Sequence, residues 1–236
     1  MSDTPSFART AMVMAAGLGK RMRPLTITTP KPLVRVAGKP LIDHVLDHLG
    51  QAGMQRVIVN VHYLADALEA HLKAREWPFE ILISDERDLL LETGGGLVKA
   101  MPMIEEDPFF CLNSDNVWLE SARSCFDELR AAWDDDRMDA LLLLVPHSRA
   151  NNYKGVGDFH LDQMGRIRRR KPGHVAPYIY TGIQLLSRRL LADPPQGAFS
   201  TNVLWNRAMA EGRVYGISHL GLWFDVGTPA AIQPTA

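Results

Sequence analysis

The chain has 236 residues, 46% hydrophobic and 22% charged, a composition that suits one sizeable α/β domain or a main domain with a small attached lobe. Its 26 basic and 27 acidic residues leave a net charge of −1, so no global basic field is available to hold a nucleic-acid backbone. No stretch of about 20 apolar residues can span a membrane. Residues 1–10 show no secretory pattern, and Cys111 and Cys125 form no C-x-x-C pair for zinc or redox work. A reducing cytoplasm is the expected compartment, and Cys111, in an apolar run, reads as a small buried residue.

Along the chain, residues 10–15 (TAMVMA) form a short apolar run that empties into a glycine loop, which predicts the first strand. Residues 16–29 read as a long loop. Residues 40–50 carry Leu41, Ile42, Val45, Leu46 and Leu49 at helical spacing, and Gly53 ends that helix. A strand at 56–61, a helix at 64–73 and a strand at 79–84 follow. Apolar runs at 109–112 and 140–145 are separated by a helix around 122–133. This alternation predicts a mostly parallel, Rossmann-like sheet flanked by helices. After Pro146 the pattern becomes α+β: a hairpin from 158–161 and 166–169 around the turn DQMG, a strand at 178–186, a helix at 202–210 and a strand at 214–218. The expected organisation is one domain, 1–236, with a nucleotide-binding part (1–145) and a smaller sugar-binding part (146–236) against the open sheet edge. The basic run 166–171 reads as a solvated hairpin arm.

The most informative segment is MAAGLGKRMRPLTITTPKPLVRVAGKPL, Met14 to Leu41. Small residues at Ala15, Ala16, Gly17, Leu18 and Gly19 let backbone approach a ligand closely, and their N–H groups can cradle phosphate. Lys20, Arg21, Arg23 and Lys31 supply the positive charge that a triphosphate requires. The segment is no Walker A loop, because no G-K-[ST] follows, and no dinucleotide fingerprint, because Met22 stands where the third glycine belongs. A bland strand-to-helix turn would explain the glycines. It would not explain Arg-Pro and Pro-Lys-Pro in so long a loop.

This segment resembles the signature of the sugar-phosphate nucleotidyltransferases, G-x-G-x-R-[LM], then PLT, then a Lys-Pro box. The resemblance implies that Arg21 and Lys31 grip the triphosphate while backbone at Ala15 to Gly17 lies against base and phosphates. Leu91 to Gly96, LETGGG, reads as a loop entering a helix N-terminus. It is similar to the family's nucleobase box, most closely in the uridylyltransferases that act on N-acetylmuramate 1-phosphate in cell-wall recycling. Glu92 and Gly94 are accordingly the candidates for base selection, with Asn113 also at the nucleotide.

Asp115 follows a buried strand, at the edge where open α/β sheets bind ligands, although an Asx turn would look the same. Asp225 stands in the apolar, aromatic context LWFDVGTP, where a lone acid is costly unless paired or on a metal. Together they match the family's two metal-binding aspartates, which implies Mg²⁺ on the α-phosphate. Ser114 replaces the usual glycine before the first. On the sugar side the resemblance points to Lys154, Gly157, Lys171 and Thr181, with Arg170 where relatives carry glutamate.

The implied reaction is Mg²⁺-dependent transfer of a nucleotidyl group, from UTP by this reading, to a sugar 1-phosphate. The expected partners are those two substrates, with no nucleic acid and no membrane, in a monomer or small homo-oligomer. Mannose-1-phosphate guanylyltransferase is the alternative within the class. Outside it stand a nucleotide-sugar-dependent glycosyltransferase, disfavoured by a single Asp where D-x-D is usual, and a nucleotide-sensing regulatory module, disfavoured by the presence of Arg21, Lys31 and both aspartates.

Overall fold

The computed structural model describes residues 7–232; most of the segment from which the lack of a secretory pattern was read, residues 1–6, lies outside them. The chain opens with β1 (Thr10–Met14), a small hairpin β2 (Arg35–Val36) and β3 (Lys39–Pro40), and helix α1 (Leu41–Gln51). Strand β4 (Arg56–Val61), α2 (Ala65–Lys73), β5 (Glu80–Asp85), α3 (Glu92–Ala100) and β6 (Phe109–Asn113) follow. Then come β7 (Val117–Leu119), α4 (Cys125–Ala132), β8 (Ala140–Pro146), β9 (Ala150–Asn151), β10 (Phe159–Leu161) and β11 (Ile167–Arg169). The chain continues through β12 (Tyr178–Leu186), α5 (Asn202–Ala210), β13 (Val214–Ser218) and β14 (Leu222–Phe224).

The main sheet runs β5-β4-β1-β6-β12-β8-β13. Strands β5, β4, β1 and β6 are mutually parallel, β12 is antiparallel to both its neighbours, and β13 is parallel to β8. Every strand of this run except β12 therefore points the same way. Successive side chains of a strand face opposite sides, and both sides here are apolar. Val13, Val57, Val59, Phe110, Leu112, Leu141 and Leu143 pack under α1, α2 and α4. Met12, Ile58, Cys111, Leu142 and Leu144 pack under α3 and α5. That two-sided burial is what a covered, largely parallel sheet demands.

The C-terminal part does more than lie against an edge. Strand β12 threads between β6 and β8, so one sheet spans the 145/146 boundary. Its lower half pairs with β6 from Ile183 to Leu186, while Tyr178 pairs with Phe159 of β10. The register shifts between Tyr180 and Gln184. The sheet splits there, with β6 ending on one side and the β10–β11 hairpin beginning on the other, and a cleft opens at the fork.

Three short strands absent from the sequence reading form a second sheet, β7-β14-β9. Val117 pairs with Phe224 and Leu119 with Leu222. Beneath it Met22, Val34, Val36, Leu41, Val117 and Val226 make a separate small core. Met22 is fully buried there, which pins the long loop after β1 to the strand pair that carries both aspartates.

Candidate active site

The C-terminal ends of β1, β4, β5 and β6 meet at one edge of the sheet, the edge at which open α/β sheets take ligands. A cleft of about 680 Å³ lies there, lined by Ala15, Ala16, Gly17, Leu18, Gly19, Arg21, Lys31, Glu92, Asn113 and Asp115. The structure thus brings together the nucleotide-side residues named from sequence, apart from Gly94. Gly17 is informative because a β-carbon there would meet no protein atom within 4 Å. Nothing in the fold requires a glycine at that point, and its bare backbone leaves room for close approach from the cleft.

Lys31, on a short 3₁₀ turn Lys31–Leu33 entered through Pro30, forms an ion pair with Asp115. The register of β7 and β14 sets Asp225 across from Asn116, so the two aspartates sit at the same end of one strand pair. The Gly227 N–H donates to Asp225 Oδ1 at 2.9 Å and fixes that carboxylate. The position a Gly227 β-carbon would take is 3.0 Å from Asp225 Oδ1 and 3.4 Å from Arg21 Nη1, which brings the Arg21 guanidinium beside the second aspartate. Arg21 makes no hydrogen bond among the described residues and is exposed, free to meet an anion. Among the described residues no three acids, histidines or cysteines cluster as a metal cage. Two carboxylates at the same end of one strand pair are a donor set suited to a hard divalent cation such as Mg²⁺, with water and substrate oxygens as its other ligands.

The glycine triplet departs from its sequence reading. It is no loop: residues 94–96 lie inside α3, and each glycine is required by a different neighbour. A β-carbon at Gly94 would sit 2.3 Å from the Phe199 ring, one at Gly95 2.5 Å from the Gly197 carbonyl, and one at Gly96 2.8 Å from Glu86 Oε1. Gly94 is therefore packed against Phe199, to whose carbonyl its N–H donates at 2.8 Å, while Glu92 and Thr93 face the cleft.

Two residues missed from sequence hold this arrangement. Asn60 Oδ1 accepts the Ala15 N–H at 2.6 Å, and Asn60 Nδ2 donates to Glu86 Oε1 at 2.7 Å. Glu86 Oε2 accepts the Leu91 N–H at 3.1 Å. Glu86 is fully buried, so one carboxylate ties the phosphate loop to the start of α3. The available signal was a polar Asn inside the apolar run RVIVNV, since a buried amide must have a partner.

A second cleft of about 350 Å³ shares Met14, Thr93, Asn113 and Ser200 with the first and opens at the sheet fork. Asp158, Phe159, Arg169, Tyr180, Gln184 and Trp205 line it. Gly157, next in sequence to Asp158 but not part of the lining, has φ +77°, and a β-carbon there would lie 2.0 Å from the Ala176 carbonyl. Thr181 is not turned to the cleft: it is buried, its hydroxyl donating to the Leu143 carbonyl at 2.9 Å. Lys154 and Lys171 are exposed and line neither cleft. The basic run is no free arm either. Arg166 donates to Tyr215, Arg169 to Asn202 and Asn206, and Arg170 to the carbonyls of Gly157, Lys171 and His174. Cys111 lines this cleft, but burial pushes its thiol up to about 12, so it is no nucleophile at neutral pH.

A covered, largely parallel sheet with a glycine-floored cleft, two cations and two aspartates at its edge defines a nucleotidyltransferase, and the chain belongs to that family: residues 10–235 match the nucleotidyl transferase domain. It is 47% identical to the N-acetylmuramate alpha-1-phosphate uridylyltransferase of Caulobacter vibrioides over 98% of this chain and 96% of that protein. The protein of the same description from Neisseria meningitidis serogroup B is 34% identical over 94% and 95% of the two chains. In fold, the UDP-glucose pyrophosphorylase of Acinetobacter baumanii superposes with a TM-score of 0.79 at 16% identity, covering 97% of this chain and 92% of that one. No helix among the described residues is long and apolar enough to cross a membrane.

Proposed function

We propose that this enzyme transfers the uridylyl group of UTP to N-acetylmuramate 1-phosphate, giving a nucleotide sugar and pyrophosphate, in cytoplasmic recycling of cell-wall sugars. The observation that carries the chemistry is the convergence of Arg21, Lys31, Asp115 and Asp225 at the mouth of the glycine-floored cleft. The choice of base and sugar follows the Caulobacter relative. Two buried free thiols suit a reducing compartment.

In this reaction an oxygen of the sugar phosphate bonds to the α-phosphorus of UTP. The bond from that phosphorus to the bridging oxygen breaks, and its electron pair leaves with pyrophosphate. Nucleophile and leaving group are both anions already, so no general base is needed, and catalysis reduces to alignment and charge neutralisation. Backbone at Ala15 to Gly19 receives the base and phosphates. Arg21 and Lys31 draw charge off the β- and γ-phosphates as pyrophosphate departs. Asp115 and Asp225 would hold Mg²⁺, which when bound places positive charge on the α-phosphate oxygens. Glu92 and Asn113 flank the base and the path to the second cleft, while Lys154 and Lys171, which line neither cleft, are assigned to the incoming sugar phosphate by likeness to the family alone.

The test is pyrophosphate release in Mg²⁺ with UTP, GTP, CTP and dTTP, each against N-acetylmuramate, N-acetylglucosamine, mannose and glucose 1-phosphates. UTP with N-acetylmuramate 1-phosphate is expected to give the highest kcat/KM. A win for GTP with mannose 1-phosphate would overturn the assignment of base and sugar.

A further inference from the structure

The second cleft contains a guanidinium that no acid neutralises by contact. Arg169 Nε donates to Asn206 Oδ1 at 2.5 Å and one Nη2 proton to Asn202 Oδ1 at 2.6 Å. Both acceptors are neutral amides on α5. The guanidinium carbon lies 5.4 Å from the Phe159 ring centroid and 5.8 Å from that of Trp205. Of its five N–H donors, three remain uncommitted. The acid of the cleft, Asp158, accepts the Tyr180 N–H at Oδ2 (2.9 Å) and, among the described residues, makes no ion pair with Arg169, on which it acts only at a distance. Guanidinium forks match carboxylates in two-point geometry, and a fork locked by rings and amides loses little freedom when it binds one.

Arg169 is exposed at the cleft, aimed by two neutral amides and influenced by Asp158 only without contact, so its remaining donors are placed to meet an anion. By the proposed function the triphosphate belongs to the other cleft, which Arg21 and Lys31 line. We infer that Arg169 binds a carboxylate carried on the sugar ring of the acceptor, and so selects an anionic sugar 1-phosphate over its neutral counterpart. This rests on the proposed acceptor: N-acetylmuramate differs from N-acetylglucosamine by a lactyl ether that ends in such a carboxylate. Asn202 and Asn206 aim the fork, and the Phe159 and Trp205 rings lie beside it.

The experiment compares wild type with Arg169→Gln and Arg169→Lys on three acceptors at saturating UTP: N-acetylmuramate 1-phosphate, its lactyl methyl ester and N-acetylglucosamine 1-phosphate. Wild type should favour the free acid, and Arg169→Gln should reduce that preference roughly 10- to 100-fold through the KM of the acid alone, as expected for one charge-assisted contact. Turnover of the ester and of N-acetylglucosamine 1-phosphate should fall far less than that of the acid, and the KM for UTP should hold. Arg169→Lys, which keeps charge but loses the fork, should fall between. Equal loss on all three acceptors, or an unaltered preference for the acid, would overturn the role of Arg169 while leaving the acceptor assignment standing. A wild-type enzyme that favours the neutral sugars would overturn both.

Discussion

Asp115 and Asp225 occupy equivalent places at one end of a strand pair, yet different groups hold them. Asp115 is tied to the mobile-ended ammonium of Lys31, whereas Asp225 is fixed by the backbone N–H of Gly227. Asparagine at 225 keeps a carbonyl oxygen for that backbone bond and removes only the charge. Asp225→Asn should therefore fold normally, with a Tm within about 2 °C of wild type. Its kcat should drop roughly 100-fold or more, the cost of losing one preorganised electrostatic contact to the transition state. The Mg²⁺ concentration for half-maximal rate should rise with it. Full turnover by this variant, measured as pyrophosphate release, would remove Asp225 from the metal assignment.

At the scale of the element, α3 is where local preference and tertiary packing disagree. Three consecutive glycines are poor helix formers, which is why LETGGG reads as a loop. Within the helix, close neighbours leave no room for side chains at these positions, so glycine stands there despite its cost, and Gly96 lets backbone approach the Glu86–Asn60 pair. By contrast, β4, β12, α5 and β13 follow their apolar periodicity, and their limits agree with the sequence reading. Strands β7, β9 and β14 have two or three residues each, too few for any period to show. The cleft-lining residues from Ala15 to Lys31 were legible as a group because their pattern lies within one stretch of chain. Glu86 and Arg169 were not, since their roles depend on partners far away in sequence.

The Glu86 network makes α3 and the phosphate loop one unit. Glutamine at 86 would turn an amide N–H₂ toward either Asn60 Nδ2 or the Leu91 N–H, donor facing donor. We expect Glu86→Gln to lower stability by about 1–3 kcal/mol, the cost of one buried unsatisfied group, and Glu86→Ala by more. The midpoint of urea unfolding reads this. Both variants should raise the KM for UTP and leave that for the sugar phosphate near its wild-type value, because the network ends at Ala15 and Leu91 and not at the second cleft. A purely structural role would lower both apparent affinities together.

For the whole molecule, the decisive feature is that β12 lies between β6 and β8. Tearing the sugar-side part away would cost the pairings of Ile183 with Leu112 and Leu185 with Phe110, deep inside the core under α4. Neither part can keep a closed core alone, so the chain should unfold in one cooperative step. A ligand confined to the nucleotide cleft must then stabilise everything at once. UTP with Mg²⁺ at 100 times its dissociation constant contributes about 2.7 kcal/mol. For a chain of this size that raises Tm by about 5–10 °C. Calorimetry should show a single peak that moves as a whole when UTP is added without acceptor. Two peaks, only one of which moves with UTP, would mean that residues 1–145 and 146–236 fold as separate units, and that the shared sheet does not couple the nucleotide cleft to the sugar cleft.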